Sequence, residues 1–288
     1  MSQHVLHSTP TGQVALDVTP ESAGWTYSGL RVVRLDAGEY YETATSGAEV
    51  LVLALSGSCR VRCGDDELVV AGRADVFSGP SDFVYVPRGS DVTIQSDDGG
   101  RFALASARCD RTLPFRHGAA ADVPVELRGA GSASRQVHNL CLPGTFEADR
   151  LLVCEVLTPS GNWSSYPPHK HDAAGPGESA LEEIYYFEVA EGPGGEGPGI
   201  GYQRVYGHDG APIDELAEVR MGDAVLIPYG WHGPSMAAPG YDLYYLNVMA
   251  GPGEERAWLI SDDPQHAWVR DTWAAQTVDP RLPMGGPR

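Results

Sequence analysis

The sequence predicts an all-β protein built as two tandem antiparallel jelly-roll barrels, and three observations lead there. Its 288 residues include 35 glycines and 22 prolines, both high for a helical protein and suited to short strands joined by turns. The segments between those turns are rich in Val, Leu and Tyr, and in the first half none sustains a 3.6-residue apolar period over three turns. The second half then repeats the strand order and turn chemistry of the first.

Residues 1–24 are polar and turn-rich, with Pro10, Gly12, Pro20 and Gly24, and read as an arm or an edge strand. From Trp25 the strands follow as G-L-R-V-V-R-L-D-A-G-E, A-E-V-L-V-L-A-L-S-G-S-C-R-V-R-C, E-L-V-V-A-G-R, D-F-V-Y-V-P-R-G-S, D-V-T-I-Q-S and F-A-L-A-S-A. Residues 110–136, with the run R-G-A-G-S-A-S-R, read as the connection between an N-terminal unit, 1–125, and a C-terminal unit, 126–288. In the C-terminal unit R-V-V-R-L-D-A-G-E is matched by V-C-E-V-L-T-P-S-G, and F-V-Y-V-P-R-G-S by A-V-L-I-P-Y-G-W-H. The interval from Gly161 to Pro228 exceeds that from Gly38 to Pro87, and the excess fits the Gly/Pro loops 172–181 and 191–200. The first of these is too rich in Gly and Pro for helix and is expected to form a rim or lid. The segment P-I-D-E-L-A-E-V is allowed one helical turn. Closed double-sheet units leave only short exposed edges, which is how such chains avoid edge-to-edge pairing.

The net charge of −19, with no lysine or arginine cluster, argues against nucleic acid or an anionic membrane as a partner. The first residues lack a basic region followed by an apolar run, and no segment approaches 18 apolar residues, so a cytoplasmic protein is expected. The five cysteines are an odd count, and Cys59 and Cys63, with no second close pair, read as buried thiols rather than half of a zinc site. The aromatic stretch with Trp268 and Trp273 packs against the barrel or a partner subunit, which is compatible with a homo-oligomer. The terminal R-L-P-M-G-G-P-R reads as a loose tail.

The chemistry concentrates between Trp163 and His232. His169 and His171 occupy alternate positions behind Pro167 and Pro168, an acidic pair, Glu182 and Glu183, opens a later strand, and G-D-A-V-L-I-P-Y-G-W-H ends in His232. Side chains two apart on a strand share a face, so both imidazoles can reach one ion, with His232 and one carboxylate completing a mixed N/O site. Glu183 is preferred as that carboxylate because it shares a face with Tyr185, and Glu182 remains open as ligand, base or support. Such a set suits a divalent ion, Zn, Mn, Fe or Ni, with Zn or Mn favoured. The equivalent positions of the first half lack the pattern, so that unit is expected to be structural, with Glu42 and Glu49 as solvated or turn residues. Arg204, if it points inward, would clamp a substrate carboxylate. Tyr241, Tyr244 and Tyr245 read as packing residues from which one hydroxyl, that of Tyr245, reaches substrate, and Asn247 as a buried hydrogen-bonding or substrate-contacting group.

W-S-S-Y-P-P-H-K-H-D, L-E-E-I-Y-Y-F, Q-R-V-Y, G-D-A-V-L-I-P-Y-G-W-H and A-P-G-Y-D-L-Y-Y-L-N-V-M-A-G-P resemble the 5-deoxy-glucuronate isomerase family of bacterial inositol catabolism. That family is related to 5-keto-4-deoxyuronate isomerase and belongs to the cupins. The resemblance implies a bicupin that converts 5-deoxy-D-glucuronate, a small sugar acid, to 5-dehydro-2-deoxy-D-gluconate, with metal ligands falling on His169, His171, Glu183 and His232. Gly233-Pro234 and Trp231 depart from the family pattern. The chemistry suits such a site: an aldose–ketose isomerisation needs an enediolate held while a proton moves between neighbouring carbons, and a divalent ion supplies the Lewis acid. Glu182, Tyr185, Arg204 and Tyr245 are the catalytic candidates around it. A cupin metal-dependent dioxygenase and a non-catalytic sugar-acid-binding bicupin are the competing readings.

Overall fold

The computed structural model describes residues 3–192, 195 and 197–285, and its regular structure is overwhelmingly β, with every strand pairing antiparallel. Among the described residues helix is confined to the single turns Pro20–Ala23 and Val269–Thr272 and three short 3-10 segments. Among the described residues no helix is long and apolar enough to cross a membrane. The short helix Pro20–Ala23 forms because Thr19 and Ser22 make a reciprocal capping box and Gly24, at φ +75°, closes it.

The first half supplies a nine-stranded sheet. Its spine runs Arg116–Gly118, Phe83–Val86, Ala48–Cys63, Gly100–Arg108, Ser28–Leu35 and Val14–Val18, with Tyr40–Ala44, Asp66–Arg73 and Asp91–Gln95 branching from it. The long strand Ala48–Cys63 joins the two parts of this sheet, and the enclosed space is filled by Val33, Val52, Val61, Val84, Ile94 and Phe102. A solid apolar filling leaves no room there for the kind of polar cluster found in the second half.

The second half carries a seven-stranded sheet in the order Val5–Leu6, Ala224–Ile227, Glu182–Val189, Leu243–Ala250, Leu152–Thr158, Arg135–Cys141 and Val125–Arg128. A six-stranded sheet faces it, running Ala211–Val219, Gly201–His208, Trp231–Ala237, His169–Lys170 and Ser261–Asp262, with Trp163–Ser164 paired to Trp231–Ala237. The seven-stranded sheet is covered on both faces. Ile184, Tyr186, Tyr244 and Leu246 pack with Leu51, Tyr85 and Ala105 of the first half, while Tyr185, Phe187, Leu243 and Tyr245 pack with Val205 and Val219 of the facing sheet. Two-sided cover explains why L-Y-Y-L-N-V-M-A is buried at every position instead of alternating.

Charged side chains are buried between the halves as well. Arg73 of the first half pairs with Glu155, which also takes His138 Nδ1 at 2.9 Å and the Tyr244 hydroxyl at 2.7 Å. Arg101 pairs with Glu188 at 2.6 Å. Glu49, expected as a solvated or turn residue, is instead fully buried; it accepts the backbone N–H groups of Asp149, Arg150 and Leu151 at 2.8, 2.6 and 2.7 Å and the Tyr85 hydroxyl at 2.6 Å. A buried carboxylate is tolerable where so many donors meet it. Glu42 is exposed as expected.

One local expectation is made more specific and one is corrected. The loop 172–181 is a β-hairpin of Asp172–Gly175 with Glu178–Ala180, turned at Pro176-Gly177, where Gly177 has φ +85°. The P-I-D-E-L-A-E-V segment lies within the strand Ala211–Val219, because Ile213, Ala217 and Val219 fall on one face and Asp214, Leu216 and Glu218 on the other. Val5–Leu6 of the N-terminal arm pairs with Ala224–Ile227 of the second half. Cys59 is buried, Cys63 is half-buried, and all five thiols are free. Residues 193, 194 and 196 of the loop 191–200 and the last three of the terminal tail lie outside the described residues.

Candidate metal centre

Register brings the distant histidines together. His169 pairs directly with His232 across the strands His169–Lys170 and Trp231–Ala237, and His171 follows one alternation later. The His169 and His232 ring centroids are 4.4 Å apart, those of His171 and His232 4.7 Å, and those of His169 and His171 6.3 Å. Glu183 reaches them from the opposite sheet, where it sits across from Ile227 and Met249. Its Oε2 is 3.1 Å from His171 Nε2 and 3.1 Å from His232 Nε2. One ligand atom from each of His171, Glu183 and His232 falls within 4.8 Å of the others, and all three residues are buried. His169 lies beside this triplet, its ring against that of His232 and its side chain on an adjoining cavity.

The donor set fits a metal ion. His232 Nδ1 lies 3.3 Å from the Gly230 carbonyl and His169 Nδ1 3.4 Å from that of Pro167. Because a carbonyl only accepts, the proton of each ring belongs on Nδ1 and the Nε2 lone pair is left to ligate. Glu183 Oε1 and His232 Nε2 are buried with no hydrogen-bond partner; the 3.1 Å approach of the latter to Glu183 Oε2 lacks hydrogen-bond alignment. Orphaned buried acceptors of this kind are costly unless something binds them. Burial, then the neighbouring His232 and His171, hold His169 well below the usual imidazole range. Burial opposes ionisation of Glu183, yet His171 and His232 outweigh it and bring the carboxyl down to about 2; the same attraction keeps His171 above its ordinary value against the effect of burial.

A brace lies behind the histidines. Asp172 accepts from the Gly230 N–H at 2.8 Å and from Lys170 Nζ at 2.7 Å, and pairs with His208 Nε2 at 2.8 Å. It thereby ties the segment of His171 to the turn that carries His232. Burial works against its charge, but the Lys170 ammonium and the donors from Gly230 and His208 hold its carboxyl well below the usual range.

The adjoining cavity has a volume of about 480 Å³, and its lining includes His169, Tyr185, Tyr245, Ser165, Arg135 and Trp273. Tyr185 and Tyr245 both line this cavity. Their rings stack at 4.7 Å, the Tyr185 ring lies 5.9 Å from that of His232, and the hydroxyls meet Ser165 Oγ at 3.1 Å and Ser164 Oγ at 3.0 Å. Burial raises both phenols, Tyr185 with help from Glu183, so each keeps its proton near neutral pH. Asn247 also lines the cavity, with Oδ1 buried and unpartnered.

Two expected site residues are elsewhere. Glu182 points to the other face of its strand, where its carboxylate accepts the N–H groups of Thr26, Tyr27 and Ser28 at 2.7, 2.7 and 2.9 Å. Strand alternation makes this unavoidable once Glu183 faces the histidines. Arg204 pairs at 2.5 Å with Asp214 on the neighbouring strand, donates to the Glu215 carbonyl and stacks on Tyr206, away from the cavity. The arginines that do line the cavity are Arg128, Arg135 and Arg270. The first two are the ends of R-G-A-G-S-A-S-R, which reads as a mere connection until its flanking strands are paired.

An antiparallel all-β fold with a buried histidine–glutamate cluster beside a cavity defines a cupin-like protein with a metal-binding donor set. Comparison then gives the family: its model matches residues 3–269, and the chain belongs to the KduI/IolB family. A 5-deoxy-glucuronate isomerase of Geobacillus thermodenitrificans is 42% identical over 94% of this chain and 97% of its own. That of Listeria innocua is 40% identical over 88% of this chain and 91% of its own. A crystal structure of an IolB-like protein from Salmonella typhimurium superimposes with a TM-score of 0.85 at 34% identity, covering 93% of this chain and 99% of that one. Bacillus subtilis oxalate decarboxylase, 14% identical with a TM-score of 0.60 over 91% of this chain and 80% of its own, shares the fold. Relatives matched at this identity over nearly their whole length make the chain an isomerase, and the purely binding reading falls.

Proposed function

We propose that this isomerase converts 5-deoxy-D-glucuronate to 5-dehydro-2-deoxy-D-gluconate. The observation that carries the reading is the buried cluster of His171, Glu183 and His232, with His169 and Tyr185 between it and a cavity large enough to admit a hexuronic acid. The activity in the names of the near full-length relatives supports the substrate. His169, His171, Glu183 and His232 would hold the divalent ion, with Zn or Mn favoured by the mixed imidazole and carboxylate set. When bound, that ion supplies a Lewis acid for the substrate carbonyl.

In the reaction the aldehyde carbon gains a hydrogen, the adjoining carbinol carbon loses one, and the hydroxyl proton passes to the former carbonyl oxygen, through an enediolate. The Tyr185 hydroxyl, protonated and lining the cavity beside His232, donates to the oxygen on which charge develops. Tyr245 holds the Tyr185 ring by stacking, and Ser165 orients the Tyr185 hydroxyl. Asp172 acts at one remove, fixing the turn of His232. The division of the strands, 14–118 in one sheet and 125–262 with residues 5–6 in the others, supports a bicupin of units 1–125 and 126–288 with the site in the second.

Proton NMR in deuterated buffer tests the activity on metal-analysed protein. The aldehyde and hemiacetal signals of 5-deoxy-D-glucuronate are expected to give way to those of the 2-deoxy ketonate, with deuterium entering if the transferred proton exchanges. An unchanged spectrum with fully metal-loaded protein refutes the proposal.

A further inference from the structure

The cavity beside the cluster holds three arginines in unequal circumstances. Arg128 is bonded to Glu126 at 2.8 Å and lies over the Trp258 ring. Arg270 is paired with both carboxylate oxygens of Asp262 and lies over Trp273. Arg135 has no such partner. Its Nη1 donates to the carbonyls of Ala133 at 3.1 Å and Tyr166 at 3.3 Å, and among the described residues no carboxylate comes within ion-pair distance of it. Yet it is only 7% exposed. Its guanidinium lies 5.6 Å from the Trp273 ring, a contact that supports a cation without neutralising it.

A buried, unpaired cation is costly, and proteins keep one chiefly where a ligand anion completes it. Burial, reinforced by the nearby Arg128 and Arg270, lowers the Arg135 guanidinium to about 10, so it is still charged at neutral pH. The surroundings restrict what the anion can be. Tyr185, Tyr245, Ser165 and Asn247 supply donors and acceptors for hydroxyl groups on the same lining, and Trp258 and Trp273 supply flat apolar walls. A planar carboxylate on a polyhydroxylated chain matches both the guanidinium fork and those walls.

We propose that Arg135 is the carboxylate-binding residue of this cavity, taking the acid end of a sugar acid whose carbonyl end lies at the histidine–glutamate cluster. The placement of the carbonyl end rests on the isomerase reading above; the recognition of the carboxylate stands on the unpaired arginine. The role once open to Arg204 thereby passes to a residue on the opposite sheet.

Calorimetric titration of the metal-loaded protein with D-glucuronate and with the neutral, nearly isosteric D-glucuronamide tests this by affinity instead of rate. The wild type is expected to bind the acid about 10- to 100-fold more tightly than the amide, the range for a hydrogen-bonded charge pair. Arg135→Gln is expected to abolish that preference while changing amide affinity less than about twofold, by the same reasoning. Because it removes an uncompensated buried charge, it is also expected to leave the ligand-free Tm unchanged or raised, where a structural arginine would lower it. Arg135→Lys, which keeps the charge, carries the test if the glutamine variant does not fold: loss of the planar fork is expected to reduce the preference severalfold. A wild type without acid preference, or a preference intact in both variants, overturns the proposal. Absence of isomerisation of 5-deoxy-D-glucuronate alongside a normal acid preference would instead refute the reaction and leave Arg135 in place.

Discussion

Replacing each of two adjacent carboxylates by its amide separates the two faces of the strand Glu182–Val189. Glu182 accepts three backbone N–H bonds from Thr26, Tyr27 and Ser28. Bonds to a charged acceptor contribute about 1.5–3 kcal/mol each when protected, and partial exposure of Glu182 reduces that by roughly half. A glutamine oxygen can still accept one or two of the three. Glu182→Gln is therefore expected to cost about 1–2 kcal/mol and to lower Tm by roughly 2–8 °C. Metal content and activity should stay within about twofold of the wild type, since the side chain never meets the cluster. Glu183→Gln removes the only carboxylate of the cluster, and metal content after dialysis should fall from about one ion per chain to below roughly a tenth, with activity following it. Scanning calorimetry and elemental analysis on the two variants read both outcomes. The reverse pattern, with metal lost from Glu182→Gln and retained by Glu183→Gln, would refute the assignment of faces.

His171→Ala should remove the metal and most activity while the far-ultraviolet spectrum and cooperative unfolding persist, because the cluster lies on strands already held by apolar packing; stoichiometric metal in that variant would defeat its assignment as a ligand. Tyr185→Phe deletes one hydroxyl and should lower kcat by about 10²–10³-fold with metal content intact, the range for loss of one oxyanion donor; an unaffected kcat would remove Tyr185 from the mechanism. Burial alone would raise the Glu155 carboxyl, but Arg73 and His138 outweigh it and hold it at about 2 in the folded chain, against an ordinary 4.5. A depressed folded value means stability fully present above pH 4.5 and lost as pH falls from there toward 2, so urea midpoints should drop across that window. Glu155→Gln should flatten the drop, and an equally steep fall in that variant would assign it to other carboxyls.

Much of the site is legible because strand periodicity is simple. His169 and His171 at alternate positions, a carboxylate opening a strand and a histidine closing another reveal themselves without knowledge of pairing. Glu183 is separable from Glu182 by the same periodicity, since Tyr185 shares its face. What periodicity lacks is the partner on either side. Arg204 sits on a strand whose neighbour carries Asp214, a contact that only register discloses. Arg135 opens the strand R-Q-V-H-N-L-C at the end of a glycine- and serine-rich run, and only the pairing of 125–128 with 135–141 brings it to the cavity. Glu49 looks like a surface acid until the chain returns a hundred residues later to offer it three amides. The P-I-D-E-L-A-E-V segment alternates as a strand does, and its helix-forming composition yields to the open edge of Gly201–His208.

The pairing of Val5–Leu6 with Ala224–Ile227 makes the halves interdependent in a way their linear order hides. The sheet that presents Glu183 ends, on that side, in a strand contributed by residues more than two hundred positions upstream. A fragment beginning at residue 126 would keep the histidines, the glutamate and the cavity arginines, yet it would bare the N–H and C=O groups of Ala224–Ile227 and the first-half-facing side chains Ile184, Tyr186 and Tyr244 together. An uncovered edge beside an uncovered apolar face invites association with other copies. The half that carries the histidine–glutamate cluster is thus not expected to fold by itself, and the first half serves as the wall against which it is built.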